Sequence, residues 1–154
     1  MVKVFTALNV TINLAQVNPE FTARDESGLV TAIGKDITGS WLEKASEGLD
    51  SPVPLEVVNK LRRKEFSSFY VFRKAFWRAI GDTELVSQFT PNNQELIRQG
   101  FAPFTRFKDQ VGGRQKYEIH HKVEIQHGGG VYELDNIGIV TPKNHIRIHS
   151  KSES

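Results

Sequence analysis

Val2, Val4, Leu8, Val10, Ile12 and Leu14 share one parity at the start of the chain, interrupted only by Thr6. A period of two places these side chains on one face of an extended chain and predicts a β-strand. The stretch GLVTAIGKD at 28–36 predicts a second, weaker strand. The pattern then changes period. WLEKASEGL, from Trp41, predicts a short helix, and Pro54 opens another in PLEVVNKLRRKEF, with Leu55, Val58 and Leu61 on one face. Ser67 or Ser68 can cap FYVFRKAFWRAI, where Phe69, Phe72, Phe76 and Ile80 form a core-facing stripe and Gly81 ends the helix. DTELVSQF and the run from Thr90-Pro91 to Gly100 predict two further short helices, with Thr90 as N-cap and Pro91 at the first helical position. Residues 101–116 contain Gly112-Gly113 and predict an ordered loop. The tail reads as a strand in RQKYEIHHKVEI, a turn in QHGGG, a strand in NIGIVT, and a helix capped by Thr141 and opened by Pro142.

These elements predict an α+β chain: a helical body, a C-terminal strand–strand–helix unit and a short N-terminal β segment. Charge divides the chain at the same place as period. Residues 1–36 sum to −1 and residues 37–154 to +3, so a boundary is expected near Asp36–Ser40. A length of 154 residues suffices for one domain with a real core. No apolar run reaches membrane-spanning length. The N-terminus is a poor signal peptide, because Asn9, Thr11 and Asn13 interrupt its apolar region. A net charge of +2 permits an anionic partner without demanding one. The absence of cysteine excludes disulfides and thiolate metal sites, so any metal must be held by histidine and carboxylate.

The candidate chemistry lies in the tail. All five histidines, His120, His121, His127, His145 and His149, fall in the last 35 residues. On the final helix His145 and His149 are four apart and share a face. On a strand His120 and His121 point to opposite sides, so only one of them can join that pair directly. Three imidazoles with an open fourth position is the coordination of a catalytic zinc site, whereas structural sites close with four protein ligands.

The segment GGRQKYEIHHKVEIQHGGGVYELDNIGIVTPKNHIRIH at 112–149 resembles the H-N-H motif in the nuclease domains of DNase colicins and S-type pyocins. The likeness extends through GFAPFT at 100–105, FSSFYVFRKAFW at 66–77 and GSWLEKA at 39–45, about three quarters of the chain. It implies a ββα-metal finger at about 112–150 within an H-N-H domain at 37–154. It also implies His120, His145 and His149 as metal ligands, and His121 as general base. Asn136 would hold that base through a backbone carbonyl, with Arg114 and Glu118 acting at the phosphate. His127 has no place in the pattern and is expected to be a loop histidine. The family's basic N-terminal arm is missing from residues 1–36, and Arg24 is a weak stand-in for its arginine.

The implied activity is metal-dependent, largely sequence-non-specific cleavage of double-stranded DNA, as the cytotoxic domain of a bacteriocin. Zinc is the first candidate ion, with magnesium, nickel or another divalent ion as alternatives in catalysis. The implied partner is a small acidic cognate immunity protein, meeting Arg98, Phe101, Phe104 and Arg106. The protein is expected to be a monomer, secreted within a larger toxin and active in the cytoplasm of the target cell. Two other readings are a zinc-stabilised nucleic-acid-binding module without activity and an H-N-H nuclease of phage or homing type. The first needs a fourth ligand and leaves His121, Arg114 and Glu118 without a task.

Overall fold

Aromatic side chains at helical spacing organise the centre of the molecule. The computed structural model describes residues 23–48 and 50–153, and the alternating stretch 2–14 lies outside them. Helix α1 spans Leu55–Leu61 and buries Val57, Val58 and Leu61. Helix α2 spans Phe69–Gly81, where the Ser68 hydroxyl accepts from the Val71 N–H at 3.3 Å, satisfying one amide of the first turn. Its buried face carries Phe69, Phe72, Phe76, Trp77 and Ile80. These rings pack at tilted or edge-to-face angles, with Phe72–Phe76 centroids at 6.2 Å and Phe76–Trp77 at 5.0 Å. Trp41 closes the cluster against Phe76, Trp77 and Phe89, and its indole N–H donates to the Pro52 carbonyl at 2.7 Å. Helix α3, Pro91–Arg98, begins as expected with Thr90 as cap and packs against α2 through the buried Ile97.

Two expected helices are single 3-10 turns instead. WLEKASEGL contributes Glu43–Ser46 and DTELVSQF contributes Glu84–Gln88. Each run is too short to repay the nucleation of an α-helix. The first is also claimed by tertiary bonds: the Ala45 carbonyl accepts from the Thr141 N–H at 2.9 Å and the Asn144 side-chain amide at 3.0 Å.

The strands are short. β1 (Gly28–Leu29) pairs antiparallel with β3 (Glu65–Phe66). A second, three-stranded antiparallel sheet places β5 (Ile137–Val140) between β2 (Ser51–Pro52) and β4 (Glu118–His121). The expected strand RQKYEIHHKVEI is confined to four residues, because β5 offers only four partners. Helix α4, Pro142–Glu153, follows β5 directly, with the Thr141 hydroxyl accepting from the Asn144 N–H at 3.2 Å. The fold is thus α+β with a C-terminal ββα unit.

Residues 23–36 differ in charge from the body but run across it. Val30 is fully buried, Thr31 exchanges backbone bonds with Tyr132 and Leu134, and Asp135 accepts from the N–H groups of Ile33 and Gly34. The change of character near Asp36 therefore does not coincide with a break in packing. Among the described residues, no helix is long and apolar enough to cross a membrane.

Candidate metal and phosphate site

The ββα unit brings the tail histidines together. His120 and His121 lie next to each other on β4, and His145 and His149 stand one turn apart on α4. Strand alternation sends His120 toward α4, with its ring centroid 5.5 Å from that of His145. One ring nitrogen from each of His120, His145 and His149 lies within 4.8 Å of the others. Among the described residues these three form the group able to hold a metal ion. Three neutral imidazoles suit a borderline-soft divalent ion, so the donor set fits the group the motif implies.

His121 sits outside that group but lines the same cavity, a cleft of about 420 Å³. Its ring packs on Phe69 at 5.2 Å, which ties it to the first turn of α2 and the aromatic core. Nε2–H donates to the Val131 carbonyl at 3.0 Å, which makes Nδ1 the acceptor nitrogen of the ring. Asn136 acts one step removed. Its side chain accepts from the Val123 N–H at 2.8 Å and donates to the carbonyls of Val123 and Gly130 at 3.0 and 3.3 Å. Asn136 thus clamps both ends of the loop that carries Val131. Gly129 lets that loop close, since a Cβ there would stand 1.7 Å from the Val123 carbonyl oxygen.

Arg114 and Glu118 form a two-pronged ion pair at the cavity wall, at 2.9 and 2.5 Å. His145 Nδ1–H donates to the same carboxylate at 2.8 Å. Burial alone would raise the Glu118 carboxyl. The bonds and charges of Arg114 and His145 outweigh it and lower the group from 4.5 to about 2. A carboxyl whose folded value lies below its unfolded value stabilises the fold above the unfolded value, and that stabilisation is lost as pH falls through the folded one. The stability difference between the metal-free chain and its Glu118→Gln variant is therefore expected to be full above pH 4.5 and to vanish toward pH 2. Thermal unfolding across that range checks it, and a difference independent of pH would contradict it.

Four residues of the site carried little or no signal in the sequence. Asp50 Oδ2 meets His120 Nε2 at 2.7 Å, orienting the imidazole from behind. Gly138, directly opposite His120 in the sheet, makes room for it, because a Cβ there would lie 2.1 Å from Asp50 Oδ2. Gly138→Ala is expected to displace that carboxylate and weaken metal binding about tenfold. A zinc competition titration would show this, and unchanged affinity would remove Asp50 from the site. Arg24 lines the His cavity and lies over Phe69 at 5.3 Å, a larger presence than its sequence context suggested. Glu124 also lines the cavity, whereas His127 is exposed in the loop.

The four residues expected to meet an immunity protein lie elsewhere. Phe101 and Phe104 are 42% and 43% exposed, so neither is a core residue. The Lys116 ammonium sits over both rings, at 5.5 and 5.1 Å. Arg98 closes α3, and Arg106 pairs with Asp109 at 3.2 Å. Phe107, three residues beyond Phe104, is 80% exposed.

Known proteins share this architecture. The family model for the colicin/pyocin-S2 DNase domain matches residues 28–151. Colicin-E7 of Escherichia coli is 48% identical over 127 residues, and pyocin-S2 of Pseudomonas aeruginosa is 47% identical over the same length. Each alignment covers 82% of this chain but only 22% and 18% of the respective relative, so the chain spans about a fifth of their length. The DNase in the crystal structure of the pyocin AP41 DNase–immunity complex superposes with a TM-score of 0.80 at 39% identity, covering 82% of this chain and 99% of that one. The mutant nuclease domain of pyocin S8, solved with its cognate immunity protein, gives 0.78 at 46% identity, covering 80% and 99%.

Proposed function

We propose, because the chain belongs to the colicin and pyocin DNase family, that it is a metal-dependent, largely sequence-non-specific DNA endonuclease acting as the cytotoxic domain of a bacteriocin. The observation that carries this reading is one cavity holding three imidazoles at metal-binding separation and a fourth that stays out of their group. His120, His145 and His149 would hold the ion, zinc first among the candidates. When bound, the ion supplies Lewis-acid stabilisation of charge on the phosphoryl group. His121 acts as general base: Val131 keeps the proton on Nε2, so Nδ1 can take one from the attacking water. Arg114 presents positive charge to the phosphate, and Glu118 limits its swing. Asn136 keeps the Val131 carbonyl, and hence the His121 ring, in register.

These groups address phosphate and water rather than base edges, which accounts for cleavage of unrelated sequences. Cleavage should weaken steeply with added salt, since phosphate contacts release counterions on binding. The half-exposed face of Phe101 and Phe104, flanked by Arg98 and Arg106, suits a small acidic immunity protein. The pyocin AP41 DNase was solved in a DNase–immunity complex and the pyocin S8 nuclease domain with its cognate immunity protein. The chain works as a monomer, is secreted within a larger toxin and acts in the cytoplasm of the target cell. A plasmid-nicking assay with EDTA and metal add-back tests the central claim. Nicking should stop with chelation and return with a divalent ion, and cleavage that survives exhaustive chelation would refute it.

A further inference from the structure

Each of the three clustered imidazoles turns one ring nitrogen toward a different carboxylate. For His120 it is Asp50, at 2.7 Å, and for His145 it is Glu118, at 2.8 Å. For His149 it is Glu124, whose Oε2 faces Nδ1 at 3.5 Å from the loop that follows β4. The motif assigns this glutamate no part. Its other oxygen, Oε1, lies 3.4 Å from Nε2 of His127, the histidine left over from the ligand set.

We infer that Glu124 is a positioning residue for the metal site, an outer carboxylate that holds His149 with Nε2 turned inward. This rests on the metal-site reading above. A neutral imidazole carries one proton, and the carboxylate beside Nδ1 favours that proton there, which leaves Nε2 as the donor atom for an ion. The same negative charge raises the electron density of the ring and strengthens it as a ligand. Glu124 acts from outside the coordination sphere, because the cluster whose donor atoms lie within 4.8 Å of one another comprises His120, His145 and His149 without it. His127 takes the opposite side of the carboxylate and restrains it, which gives the fifth histidine a role through Glu124 rather than through the metal. The half-exposed side chain of His149, at 39%, needs this restraint more than the buried His120, at 6%.

The test uses the full chain and zinc as the probe. Zinc affinity is measured by competition with a chromophoric chelator, the coordination shell by X-ray absorption, and the thermal midpoint on the metal-free protein. Glu124→Gln removes the charge with little change of shape and should weaken zinc binding about tenfold. Glu124→Ala should weaken it at least as much. Both should keep three imidazoles at the zinc and leave the metal-free midpoint unchanged, and Glu56→Gln, a change on an exposed helix position, should bind as the parent does. Equal affinity in parent and Glu124→Gln overturns the assignment alone. So does loss of a first-sphere oxygen in Glu124→Gln, which would make Glu124 a direct ligand, or a fall of the metal-free midpoint, which would make its role structural. Failure of the parent to bind zinc overturns the metal site itself.

Discussion

Replacing His121 by alanine is expected to lower DNA cleavage by about 10²–10⁴-fold while leaving metal affinity within a small factor of the parent. Both halves follow from β4. Adjacent residues on a strand face opposite ways, so the chain can offer His120 to α4 only by turning His121 toward Phe69 and Val131. His121 is buried, with 6% of its surface exposed, so alanine also leaves a gap beside Phe69 and should lower the thermal midpoint by a few degrees. The two effects separate cleanly under single-turnover cleavage and zinc titration on the same preparation. If His121→Ala loses the metal while His120→Ala retains it, the doublet has been read the wrong way round.

What the sequence disclosed about the site was local. The pairing of His145 with His149 needs only the helical repeat, and the split between His120 and His121 needs only the strand repeat. The caps Ser68, Thr90 and Thr141 act on amides three residues away; Thr90 and Thr141 fall where the sequence placed them, and Ser68 is one of the two serines it offered. The core stripe of α2 was legible for the same reason, because one helix face collects its own aromatic residues.

The remainder depended on contacts that no local pattern encodes. Asp50 reaches His120 across seventy positions of sequence, through a gap that exists only because residue 138 is glycine. An aspartate beside a short loop carries no mark of that role. WLEKASEGL has helical composition, yet its carbonyls are taken by α4 and its cap: Ala45 accepts from Thr141 and Asn144, and Gly48 from Arg147 at 2.6 Å. KVEI at 122–125 reads as continuing strand, but Asn136 draws the ends of the loop it opens together, and the Asn136 carbonyl takes the Lys122 N–H at 2.7 Å. Charge was the least reliable guide. It separated residues 1–36 from the rest, whereas backbone bonds join the described part of that segment to the body.

A chain beginning at Ile37 is accordingly expected to lose its cooperative unfolding transition and, with it, cleavage. Truncation removes Val30, whose burial alone is worth about 1.5 kcal/mol or more. It also strips partners from groups that stay behind. The Lys64 carbonyl loses the Val30 N–H, the Arg63 N–H loses the Val30 carbonyl, and the Leu134 and Leu55 N–H groups lose the carbonyls of Thr31 and Lys35. Arg62 loses the carbonyls of Ala32 and Ile33, and the Tyr132 hydroxyl loses that of Glu26. Each lost bond is worth about 0.5–1.5 kcal/mol, and more where the abandoned group stays buried. Against a total stability on the order of 5–15 kcal/mol, their sum is decisive. The damage is aimed at the site, because Tyr132 packs on Phe69 at 6.1 Å and Phe69 supports His121. A chain beginning at residue 23 keeps all of these contacts and serves as the control. Differential scanning calorimetry of the two, with and without zinc, measures the difference. A cooperative transition at the control's midpoint in the shorter chain would show that residues 23–36 only lie on the domain, and would restore the boundary that charge suggested.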